Sequence, residues 1–312
     1  MLRSINEDSR FTKPNNIDDP DLLTKKLSEY DNDLFQTARL ITCGLYINII
    51  LKDYMRTILS LNRTDSDFNL DPRQVLSNGK MTGPKFASPG NVVAAEYNLV
   101  YRWHSAVSPK DQELAESQWR SLFGEKDPLD VPIPVMLQEF GKLEKNLSDD
   151  PGARDIAGLT RRDDKKYDSK VLLDHLTDSI DDVAGSFGAN RVPGILRSME
   201  ICGIIFARSW NLASLNDFRE HFGLERYRTF ESINPDPLVA AALEELYQHP
   251  DNVELYPGMV IEDTKMSKHP ESGLCLPFTA SRALLSDIVN LVGSDRFYTV
   301  SFPYHLQVLC NC

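Results

Sequence analysis

Residues 91–104 read NVVAAEYNLVYRWH. Apolar and aromatic side chains recur in it at the spacing of a helix, so a helix is predicted through to the histidine. Val93, Tyr97, Val100, Tyr101 and His104 then form one stripe. Residues three apart share a helical face, which places Tyr101 beside His104 with Trp103 next to them. Pro109 helps to end the segment.

Other helices follow on both sides. DNDLFQTARLITCGLYINIILKDYMRTIL, from residue 31, reads as a long helix capped by Asp31 or Asn32, with Leu34, Ala38, Ile41, Leu45 and Ile49 in register. Residues 62–90 are rich in Asn, Asp, Pro and Gly and read as loop. Shorter helices are predicted at 111–122, 133–147, 169–186, 193–210, 214–222, 236–248 and 279–292, with a charged loop over 148–170. No run of period-2 strands stands out, so the class is mainly α with long loops. Three regions are expected: a partly disordered start over 1–30, one helical domain over 31–300, and an aberrant tail over 301–312.

The net charge of −12 argues against a phosphate-backbone partner, so no nucleic acid is expected. Five cysteines, an odd number with no C-x-x-C pair, fit a reducing compartment better than a disulfide scaffold. The start has no signal-peptide core, and the runs CGLYINIIL and ICGIIFA fall short of the roughly 20 residues that span a bilayer. A cytoplasmic chain without a transmembrane segment is expected, with peripheral contact with membranes or lipid bodies left open.

Several motifs fail on their spacing. DSDFNLD begins like a calcium loop, but Leu70 stands where Gly is required and Leu76 where Glu is required. There is no nucleotide-binding glycine loop, zinc-protease motif or nucleophile elbow. None of the six histidines pairs with another at metal-ligand spacing. His104 therefore has two readings. In one it belongs to a core stripe with an aromatic end. In the other it lines a haem, where neutral imidazole ligates iron and a tyrosine on the same face yields an electron and a proton.

NVVAAEYNLVYRWH resembles the catalytic helix of the animal-type haem peroxidase and cyclooxygenase superfamily, whose Y-x-W-H pattern supplies a radical tyrosine and the proximal histidine. The likeness is nearer to the fungal fatty acid dioxygenases, the linoleate diol synthases and psi-factor-producing oxygenases, where the tetrapeptide is YRWH as here. Other segments agree in order. LFQTARLITCGLYINIILKDY resembles the helix lining the fatty acid channel, and ARSWNLASLNDFREHFGL the segment behind the haem. LEELYQHPDNVELYPGMVIED carries the L-Y-P-G turn, and GLCLPFTASRALLSD with DRFYT resembles the late channel helix.

The resemblance implies a haem peroxidase/cyclooxygenase-like helical domain whose N-terminal part is missing. It implies haem b as cofactor, with His104 as the axial iron ligand, Tyr101 as the catalytic radical residue and Trp103 beside them. Met55, Ile58, Leu59, Tyr97 and Val100 fall where the substrate channel lies, and Phe278 and Thr279 near the substrate bend. The implied substrates are an unsaturated C18 fatty acid such as linoleate and molecular oxygen, and the product a hydroperoxide; formation of a homo-oligomer is left open. No histidine precedes His104, so the family's distal histidine is not in this stretch and slow peroxide activation is expected. The alternatives are a general haem peroxidase, or a fragment that binds lipid or a partner without catalysis.

Overall fold

Asp19 starts the first helix. The computed structural model describes residues 11–59, 90, 92–154, 159–185, 187–264 and 274–295. In it the Asp19 carboxylate accepts from the backbone N–H groups of Asp21 and Leu22, and Pro20 takes the first helical position, where a missing N–H is no loss. Helix α1, Pro20–Ile49, continues through a π-helical segment, Ile50–Tyr54, into α2, Met55–Ile58. The expected start at Asp31 or Asn32 is therefore about three turns late. Apolar periodicity reports buried faces, and the first turns bury nothing; capping and the Lys26–Glu29 ion pair at 2.8 Å mark the helix instead.

The continuous helix Pro20–Ile58 is also more apolar than the short runs suggested. One 18-residue window averages a hydropathy of 1.4 and is 11% buried, so length and composition alone permit a bilayer crossing. A single amphipathic core helix passes the same test. Most of loop 62–90, the tail 301–312 and Cys310 and Cys312 lie outside the described residues.

The chain divides into two compact units. One takes residues 1–57, 61–92 and 288–312, and its described part is mainly α1 and the π-helical segment. The other takes residues 58–60 and 93–287. It holds α3 (Ala95–Val100), α4 (Pro109–Phe123), α5 (Ile133–Lys145), α6 (Ser169–Ile180), α7 (Arg197–Ser209), α8 (Leu215–His221), α9 (Phe230–Ile233), α10 (Pro237–Tyr247) and α11 (Leu255–Ile261). It also holds the first part of α12 (Phe278–Ser294). Among the described residues there is no strand, only two isolated antiparallel bridges, Ser214 with Glu254 and Thr264 with Pro277.

Side-chain caps fix where these helices begin. Ser108 and Asp236 cap α4 and α10 ahead of a proline, Asp168 caps α6, Ser214 caps α8, and Thr229 forms a capping box with Ser232 at α9. The core of this unit gathers Leu215, Ile233, Leu243, Val253, Leu255, Tyr256, Met259, Leu276 and Leu284, all fully buried. Helix α11 packs against α8, α7 and α3. Its L-Y-P-G segment is thus a helix and not a turn. Pro257 falls among the first four N–H groups, which have no intrahelical partner. Gly258 lets α8 close in: a Cβ there would lie 2.9 Å from Leu215 Cδ2 and 3.1 Å from Val253 Cγ1. A smaller cluster of Trp119, Val131 and Met136 joins α4 to α5, with Phe123, Phe140 and Met199 against it.

Candidate functional site

Helix α3 stops before the tyrosine and the histidine. Tyr101 sits at its C-cap with φ −89° and ψ 10°, and Trp103 follows at φ −101° and ψ 39°. The Trp103 indole N–H donates to the Val100 carbonyl at 3.0 Å. In a continued helix that carbonyl would accept from the His104 backbone, so the indole replaces the next helical bond and ends the helix. His104 then opens a separate 3-10 turn, His104–Ala106.

The expected single stripe is corrected accordingly. Val100 is 4% exposed, whereas Val93 is 52% and Tyr101 39% exposed. Periodicity assumes that the backbone stays helical, and the Trp103 side chain removes that condition. The three residues still form a group. The Tyr101 ring has two aromatic neighbours, Tyr97 at 5.1 Å and Trp103 at 5.1 Å, the latter nearly parallel at 24°.

His104 is held from behind. Its Nδ1 hydrogen-bonds Oε1 of Glu200, on α7. A carboxylate only accepts, so Nδ1 carries a proton, and in the neutral imidazole the lone pair is then on Nε2. Nε2 has no partner among the described residues. Glu200 also accepts from the Tyr256 hydroxyl, 2.8 Å from each of its oxygens. Burial and then the Glu200 charge push the Tyr256 hydroxyl far above its ordinary range, so it remains a proton donor.

The flanks are tied down as well. The Gly185 N–H donates to the Ala106 carbonyl at 3.0 Å, and the Ser108 hydroxyl to Asp182 at 2.5 Å. Arg102 reaches back to Asn98 Oδ1 at 3.3 Å and the Met199 carbonyl at 3.4 Å, with its guanidinium 5.8 Å from the Tyr256 ring centre. Gly203 makes this possible, since a Cβ there would lie 2.9 Å from Arg102 Nη1 and 3.0 Å from Tyr256 Cε1. The Ser105 hydroxyl, next to His104, is buried with no partner among the described residues.

The animal haem peroxidase family model matches residues 21–305. The chain belongs to that family. Psi-producing oxygenase A of Aspergillus fumigatus is 52% identical over 306 residues, which cover 98% of this chain and 28% of that protein. Linoleate diol synthase of Gaeumannomyces graminis is 47% identical over 302 residues, covering 97% of this chain and 26% of that protein. Linoleate 10R-lipoxygenase of Aspergillus fumigatus is 48% identical over 302 residues, covering 97% of this chain and 27% of that protein. The chain thus spans little more than a quarter of the length of these relatives.

The animal haem peroxidases depend on haem, and the residues here fit one. Among the described residues no three His, Cys, Asp or Glu side chains gather as a metal cage. A lone imidazole suits a metal whose remaining positions a prosthetic group supplies. His104 is such an imidazole, with its tautomer fixed and Nε2 uncommitted. Sequence reasoning missed Glu200 and Tyr256. Tyr256 carried a signal, the Y of L-Y-P-G, whereas Glu200 lies 96 residues from His104 and carried none.

The other named residues are spread along the chain. Met55, Ile58 and Leu59 are buried at the end of the long first helix, and Tyr97 is half-buried on α3. Phe278 is half-exposed at the start of α12. Thr279 is fully buried, and its hydroxyl donates to Glu262 at 2.7 Å and accepts from Arg219 at 2.6 Å. A cleft of about 250 Å³ is lined by Trp119, Arg120, Lys126 and Arg197 among others, and by none of the residues named for the site.

Proposed function

We propose that this chain carries the tyrosine-bearing side of a haem-dependent fatty acid dioxygenase, acting on an unsaturated C18 acid such as linoleate. One observation carries the reading: Tyr101 lies against the rings of Tyr97 and Trp103, three residues before a histidine whose Nε2 is left uncommitted. The relatives' names, which include a linoleate diol synthase and a linoleate lipoxygenase, supply the substrate class.

His104 would hold the haem iron through Nε2. When bound, the haem supplies a one-electron oxidant next to the chain's own side chains. Tyr101 gives up an electron and its hydroxyl proton. The tyrosyl radical takes a hydrogen atom from a substrate carbon activated by neighbouring double bonds, a site no acid–base group could ionise. Oxygen adds to that carbon, and the peroxyl group recovers a hydrogen atom from Tyr101. The product is a hydroperoxide and the tyrosyl radical is regenerated. Tyr97 and Trp103 pack against the ring, and such packing serves the geometric demand of hydrogen transfer.

The test is a haemin titration followed by its Soret band, then oxygen uptake with linoleate. His104→Ala is expected to weaken haemin binding by about 100-fold or more, since even the supporting partners of a ligand are worth 10–100-fold. Tyr101→Phe is expected to keep the Soret band and lose oxygen uptake. Uptake that survives Tyr101→Phe would instead make the chain a general peroxidase.

A further inference from the structure

Tyr101 and His104 suffice for the proposed chemistry, and Glu200 and Tyr256 have no role in it. Both oxygens of Glu200 are engaged from two sides: Oε1 takes the His104 Nδ1–H, and the Tyr256 hydroxyl lies 2.8 Å from each oxygen. Tyr256 is 2% exposed, and its hydroxyl has no hydrogen-bond partner other than Glu200 among the described residues. Gly203 leaves α7 bare where the Tyr256 ring passes.

A carboxylate that accepts from the far nitrogen of a ligating histidine makes the near nitrogen a stronger electron donor. Hydrogen bonds to an ionised acceptor are strong, and two donors on one carboxylate divide its charge between them. The donation therefore depends on the hydroxyl that shares Glu200.

We propose that Glu200 and Tyr256 are positioning residues behind His104: Glu200 fixes the imidazole with its Nε2 lone pair outward, and Tyr256, by sharing that carboxylate, limits how strongly the imidazole donates to a bound haem iron. This rests on the reading of His104 as the iron ligand. It assigns the tyrosine of L-Y-P-G to the electronics of a side chain on another segment.

The experiment has two arms on the full chain. In the first, wild type, Tyr256→Phe and Glu200→Gln are reconstituted with haemin. The iron–histidine stretch of the ferrous form is read by resonance Raman, and the ferric/ferrous midpoint potential by titration. Tyr256→Phe is expected to raise the stretching frequency and lower the potential, and Glu200→Gln to do the reverse. In the second, the His104 Nδ1–H resonance of the haem-free chain is followed by proton NMR. It is expected to move downfield in Tyr256→Phe and upfield in Glu200→Gln.

Unchanged frequency and potential in both variants, with haem still held through His104, overturn the tuning alone. An Nδ1–H resonance indifferent to both substitutions overturns it without reference to haem. Wild-type chain that takes up no haem through His104 overturns the ligand reading and the tuning together. Tyr256→Phe removes a single oxygen, so loss of the fold does not confuse its result.

Discussion

Glu262 is 1% exposed and is nonetheless surrounded by donors. Arg219 lies 2.8 Å away, the Tyr227 hydroxyl 2.5 Å and the Thr279 hydroxyl 2.7 Å. Burial holds its carboxyl above the usual range, against these partners, which favour its charge. The folded state therefore keeps the Glu262 proton longer than the unfolded chain does. This contribution is fully present below the ordinary value of 4.5 and is lost as pH rises through the raised one. Denaturant midpoints are expected to fall as pH rises above about 4.5 for this group in wild type, and the component to vanish in Glu262→Gln. Arg219→Met, which strands the buried carboxylate, is expected to cost about 3–5 kcal/mol by chemical denaturation. Residues were legible in the sequence where chemistry and proximity coincided. Tyr101 and His104 stand out through the Y-x-W-H resemblance, while the shared helical face expected from their spacing is broken between them. Glu200 does not, because a hydrogen bond across 96 residues leaves no local pattern. Thr279 was singled out for its place in a motif, while its hydroxyl is engaged in the Glu262 cluster.

The longer elements were legible because they bury a face. Helices α4, α5, α7, α8 and α10 lie within a few residues of where periodicity puts them. Four-residue α9 gives too few turns for a period to register, the L-Y-P-G motif disguises α11 as a turn, and α3 is cut short by an indole that no hydropathy pattern reveals. Packing between elements yields two predictions. Gly203→Ala drives a methyl into Arg102 and Tyr256, and is expected to destabilise by about 1–3 kcal/mol. It should also displace the Tyr256 ring, visible as a change in the His104 imidazole resonance. The second concerns Glu254, the residue before α11, which takes a bidentate pair from Arg208 of α7 at 2.6 and 3.0 Å. That guanidinium holds the Glu254 carboxyl below its usual range. Its contribution is present above about pH 4.5 and is lost as pH falls through the depressed value. Arg208 is two-thirds exposed, so Glu254→Gln is expected to cost under about 1 kcal/mol at neutral pH and nothing measurable in acid.

At the scale of the molecule, the mainly helical class was legible and the exposure of its first element was not. Only Gly44 of α1 is buried, while Phe35, Leu45 and Tyr46 are each 61% exposed. Hydropathy said which residues were apolar but could not say what covers them. Opening a helix that buries so little exposes little new surface, so it is inexpensive. In hydrogen exchange followed by mass spectrometry, α1 amides are expected to exchange well before those of α8 and α11, whose side chains fill the core. Slow exchange throughout α1 would mean that something shields the helix in solution.

The contact between Gly258 and α8 has a consequence for inheritance. A side chain at 258 crowds Leu215 and Val253 together, so position 258 cannot drift while both neighbours keep their size. A descendant that gains alanine at 258 should be found carrying a smaller neighbour at 215 or 253, and in the laboratory the paired change should cost less than its two halves summed. The last letter of L-Y-P-G is in this sense dictated from another helix: four adjacent letters in the sequence, but a wider unit under selection.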